Sequence, residues 1–207
     1  TNFPPNYDNL RDFEDSYFRH ELKYTNVTFK ESDLGSTNHK FSAVSFNSAT
    51  SSTILCDSKE QFNFNRSQDF SISFYIKPDF SLGVPNTTDK RYIIAKHGTK
   101  FDYSENIPVG NSQPSILSEK AFTGQFPFEI YMISQSLYFA RSDGRTTNTI
   151  NGEITASGTA ERTSHILCQL TGSAAGTPKM QIYFDGSKIA EGTSTITKTT
   201  KNPAGLW

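Results

Sequence analysis

Residues 70–78 read FSISFYIKP, in which Phe70, Ile72, Phe74 and Ile76 alternate with Ser71, Ser73 and Tyr75. A side-chain period of two belongs to a strand with one face buried and the other in water. Pro78 has no N–H for a sheet ladder and marks the strand's exit. From residue 26 onward the same texture recurs. NVTFKE, FSAVSFN, STILCDS, FNFN, RYIIAKHG, FEIYMIS, SLYFARSDG, TINGEITAS, SHILCQLTG, KMQIYFDG and SKIAEGTSTI are short alternating runs parted by Gly, Asn, Asp and Ser. Single-faced antiparallel sheets must bury their apolar sides against one another, so the expectation is an all-β, two-sheet sandwich. The Asp-Gly pairs at 143–144 and 185–186 predict tight hairpin turns.

Composition sets the limits. A chain of 207 residues is comfortable for one all-β domain. Only 34% of residues are hydrophobic, yet 17 are Phe, so few but bulky side chains must fill the interior. Formal net charge is −1, which provides no field for nucleic acid or for an anionic membrane surface. No apolar run approaches the roughly 20 residues of a membrane helix, so membrane insertion is not expected. Cys56 and Cys168 both sit in apolar runs, STILC and HILC, and read as two buried thiols more readily than as a disulfide.

Three segments depart from the strand pattern, one of them the polar loop DFSLGVPNTTDK at residues 79–90. Residues 1–25 form a separate arm or linker, helical or extended. In YDNLRDFEDSYFRHELKY, Leu10, Phe13, Tyr17 and Tyr24 would line one helix face, with acidic residues early and basic residues late, in the order that suits the helix dipole. Such an arm is a candidate for homo-oligomer contacts. Residues 97–127 make an excursion too long for a hairpin and too aromatic for a solvated linker, and are expected to fold back on the sandwich. Residues 26–207 then form the sandwich domain.

Chemistry-bearing motifs are sparse. Nucleophile elbows, phosphate-cradling glycine loops and closely spaced metal-ligand pairs are absent from the sequence. Glycoside hydrolysis needs two carboxylates about 5–10 Å apart. Glu129 and Glu153 each stand alone, so a glycoside hydrolase, or an accessory carbohydrate-binding module of one, is the alternative reading. Strand alternation sends Phe inward and Tyr outward. Tyr75, Glu129, Tyr131, Gln169 and Tyr183 emerge as an exposed, ligand-binding row, since a tyrosine ring can cover a sugar or partner side chain while its hydroxyl stays wet. Asp143, Asp185 and Asn202 lie at or near turns and are the candidates for calcium at a rim; no cofactor is demanded.

The order of segments AVSFN, DFSISFYIKP, IIAKHG, SLYFARSDG, SHILCQLTG and MQIYFDGSKIAEGT resembles the laminin G-like, concanavalin A-like jelly-roll family over roughly residues 26–207. Tyr75 stands where that family usually has Trp, and His165 keeps one of a usual His pair. The closing KNPAGLW is similar to the start of the family's last strand, so further residues are expected after Trp207 in a parent protein. The Asn/Thr-rich texture is most similar to versions in structural proteins of tailed bacteriophages. The resemblance implies a non-catalytic binding, adhesion or structural module of a larger virion or extracellular protein. Its partners would be glycans or proteins, and family members often use calcium.

Overall fold

A computed structural model describes residues 22–33, 40–46, 52–56, 62, 64, 68–77, 90–96, 125–154, 163–196 and 200. Among the described residues twelve strands run in chain order: β1 (Leu22–Thr25), β2 (Thr28–Asp33), β3 (Lys40–Ser45), β4 (Thr53–Cys56), β5 (Phe70–Ile76), β6 (Arg91–Ala95), β7 (Gln125–Ile133), β8 (Ser136–Asp143), β9 (Thr147–Glu153), β10 (Ser164–Thr171), β11 (Lys179–Phe184) and β12 (Ser187–Thr193). Among the described residues there is no α-helix. Two four-stranded antiparallel sheets, ordered β12-β11-β10-β5 and β6-β7-β8-β9, form the sandwich, and β1-β4 and β2-β3 are two-stranded ribbons.

Alternation dictates the core. On β10, Ile166, Cys168 and Leu170 are wholly buried while His165, Leu167 and Gln169 turn the other way. On the facing sheet Phe128, Ile130, Leu137 and Phe139 meet them, with Met180 and Ile182 from β11. Fully burying each such side chain contributes about 1.5–3 kcal/mol. Phe70 joins the layers: its ring stacks on Phe64 at 4.0 Å and meets Phe139 edge-on at 6.1 Å. The phenylalanine filling expected from composition is therefore observed, and both cysteines are buried and not joined in a disulfide.

Turn chemistry follows the residues. Asp185 and Gly186 both adopt positive φ, 47° and 81°, between the paired Phe184 and Ser187, which is the mirror-image turn that suits strand twist. At the β8–β9 connection Asp143 Oδ1 accepts from the N–H groups of Arg145 at 3.0 Å and Thr146 at 2.8 Å. Pro127 lies where the β7–β8 register shifts between Phe126 and Glu129, as expected for a residue that cannot donate to the ladder.

Three expectations change. LKYT at 22–25 is a strand paired with β4, so the helical stripe does not include Tyr24. Within FNFN, Phe64 makes an isolated bridge to Thr200, and residues 63 and 65 lie outside the described residues. β7 begins at Gln125, inside the stretch read as an excursion. Residues 1–21 of the arm and 97–124 of the excursion lie outside the described residues.

Candidate functional site

The solvent face of the β5-β10-β11-β12 sheet is built by cross-strand register. Tyr75 pairs with His165, Ser73 with Leu167, and Ser71 with Gln169. Gln169 continues to Gln181, and Gln181 to Glu191. Because side chains alternate, these residues share the face opposite the core. Tyr75 is 58% exposed, and its ring lies 5.0 Å from the His165 ring at 50°. Ser73 Oγ is 2.7 Å from His165 Nε2.

A chain of polar contacts runs across the same face. Gln169 Nε2 donates to Gln181 Oε1 at 2.6 Å, and Gln181 Nε2 donates to Glu191 Oε2 at 2.8 Å. Lys188 donates to the same carboxylate oxygen. The ammonium and the Gln181 amide both hold the Glu191 carboxyl below its usual range. Tyr183 OH reaches Gln181 Oε1 at 3.4 Å. With their amides fixed by neighbours, the two glutamines are pre-oriented, which lowers the ordering cost of meeting a ligand.

Of the five residues expected in one exposed row, Tyr75, Gln169 and Tyr183 share this face. Glu129 and Tyr131 do not. They lie on β7 in the other sheet and turn away from the core as alternation requires, but they are 1% and 5% exposed. The expected exposure fails because the outer side of that sheet has its own packing: Phe126, Tyr131 and Ala140 cluster there with Ile133 and Tyr138 against them. Tyr92, Tyr131 and Tyr138 stand side by side across β6, β7 and β8. Tyr131 stacks on Tyr138 at 5.0 Å and meets Tyr92 at 5.9 Å. Lys90 Nζ sits 4.3 Å from the Tyr131 ring centre and 3.3 Å from Glu129 Oε2. Burial, then the Glu129 charge, raises the Tyr92 phenol above its ordinary pKa; burial raises Tyr131, with Lys90 opposing.

The calcium candidates divide likewise. Asp143 uses Oδ1 in its turn, and Asp185 Oδ1 accepts from the His165 N–H at 2.8 Å. Asn202 lies outside the described residues. Among the described residues no three His, Cys, Asp or Glu side chains gather as a metal site. His165 and Ser73 are the functional candidates that sequence reading missed. The outward Gln169 on the same strand implied an outward His165, but only the β5–β10 register brings that ring to Tyr75.

No family model and no curated protein matches the sequence. Among solved structures, the fold is similar to that described as the crystal structure of the binding domain of Paraclostridial Mosquitocidal Protein 1, with a TM-score of 0.53 and 15% identity. The match covers 91% of this chain and 39% of that one, so this chain spans about two-fifths of that structure. At this identity the likeness is one of fold.

Proposed function

We propose that this chain is a non-catalytic binding module that engages a glycan on the solvent face of the β5-β10-β11-β12 sheet. The observation that carries the reading is the 58% exposure of Tyr75 beside His165, on the same sheet face as the amide row of Gln169 and Gln181. A sugar presents a flat C–H face rimmed by hydroxyls that both donate and accept. It suits a sheet face that carries an exposed aromatic ring and, further along the strands, fixed amides and hydroxyls. The similar structure is that of a binding domain, which supports a binding role in general. Glu129, one of the two carboxylates weighed for hydrolysis, is buried in an ion pair on the other sheet. The laminin G-like resemblance, which rests on the order of sequence motifs, and a virion or extracellular setting, which rests on that resemblance and the Asn/Thr-rich texture, belong to the same proposal.

The test is a glycan array probed with the wild type, Tyr75→Ala and His165→Ala, each with calcium and with a chelator. Binding by the wild type that falls at least tenfold in both variants supports the reading, and the chelator arm decides whether calcium takes part. No glycan bound, or binding that both substitutions leave intact, overturns it; a protein partner lost on Tyr75→Ala would move the same face to protein recognition.

A further inference from the structure

The tyrosine row on the opposite sheet holds a cation. Lys90 Nζ lies 4.3 Å from the Tyr131 ring centre, 5.7 Å from that of Tyr92 and 3.3 Å from Glu129 Oε2. The ammonium is thus met by two ring faces and a carboxylate that is almost wholly buried. Aromatic rings attract cations through their quadrupoles, and a desolvated carboxylate is stable only with a compensating charge or hydrogen bonds. All three groups are set by the sheet: Tyr92 and Tyr131 are cross-strand partners, and Glu129 lies two residues from Tyr131 on the same face. Lys90 is different. It precedes β6, outside the ladder, and its side chain is 41% exposed.

We propose that Glu129, Tyr92 and Tyr131 form a receptor for a primary alkylammonium group, which Lys90 fills in the free protein and an incoming amine fills by exchange. The rigid part of the site is the receptor and the movable part is its occupant. Primary amines fit better than quaternary ones because Glu129 Oε2 accepts an N–H bond that a quaternary head cannot donate. The matching ligands are a lysine side chain of a partner protein or a free diamine. This site is independent of the glycan face, being on the other sheet.

The test is chemical rescue. Lys90→Ala is expected to lower the melting temperature, and n-butylammonium to restore it, whereas tetramethylammonium at the same concentration does not. Glu129→Gln in the Lys90→Ala background should abolish the rescue. In the wild type, butylammonium should shift the ring resonances of Tyr92 and Tyr131 while tetramethylammonium should not, and this arm decides the matter if Lys90→Ala does not fold; where it folds, it should bind butylammonium at least tenfold more tightly than the wild type. Capped lysine binding more tightly than 1,4-diaminobutane would assign a partner lysine, and the reverse a free diamine. Absence of rescue together with unmoved tyrosine rings, or equal rescue without the Glu129 carboxylate, overturns the proposal.

Discussion

Gly192 on β12 packs under Ile150 on β9, so closely that a Cβ at position 192 would lie 2.6 Å from Ile150 Cγ2. The relation is reciprocal, since a Cβ on Gly152 of β9 would lie 2.8 Å from Ile189 of β12. The two sheet edges are thus closed by isoleucines set over glycines. Asn148 fastens the same edge, its Oδ1 accepting from the Thr195 N–H at 2.8 Å and from Ser194 Oγ at 3.0 Å. Overpacking such a contact costs about 1–3 kcal/mol. Gly192→Ala is expected to lose that much in urea unfolding, with Ile150→Leu, which has no Cγ2 methyl, recovering part of it. Unchanged stability would show that the edges are not in contact.

Asp69 ties the start of β5 to the turn after β10. Its Oδ1 accepts from the Ser173 N–H at 2.8 Å and its Oδ2 from the Gly172 N–H at 3.0 Å. The Ser173 bond is the main cause of a carboxyl pKa below the ordinary value of 3.8. A depressed carboxyl contributes stability above its unfolded pKa and loses it as pH falls through the folded one. The site is exposed, so solvent screening keeps the expected cost of Asp69→Ala near 1 kcal/mol at pH 7. The gap between wild type and variant should close on acidification below about pH 4; a gap that persists there contradicts the role.

Lys96 is fully buried, and burial pushes its ammonium from 10.5 down to about 8, with Cys56 opposing. The unfolded chain therefore holds this proton to higher pH than the folded one. More protons are bound in the unfolded state across that window, so this group's contribution to stability rises with pH from about 8 to 10.5. The Cys168 thiol, pushed up by burial to about 12, acts in the opposite sense above its ordinary value of 9.0. Lys96→Met isolates the lysine. Wild-type stability minus that of the variant should increase across the window, and parallel pH profiles would refute the assignment.

Alternation made the sandwich legible. FSISFYIKP, SHILCQLTG and KMQIYFDG each show their inner and outer faces in the sequence, and the Asp185-Gly186 turn needs no neighbour to be recognised. The fate of Glu129 and Tyr131 was not legible, because alternation tells which side of one sheet a residue takes and nothing about what covers that side. Tyr75 and His165 are 90 positions apart in the chain, and their contact depends on β5 pairing with β10 after the intervening strands have built the other sheet. LKYT reads as helix because Tyr24 falls seven residues after Tyr17 on an apolar stripe, whereas pairing with β4 makes it a strand.

Recognition on the β5-β10-β11-β12 face is tested most directly by mapping backbone amide shifts while the wild type is titrated with the strongest glycan from the array. Shifts should gather at Ser71, Ser73, Tyr75, His165, Gln169 and Gln181 and leave the amides of β7 and β8 in place. Shifts confined to the β6-β7-β8-β9 sheet would contradict the account.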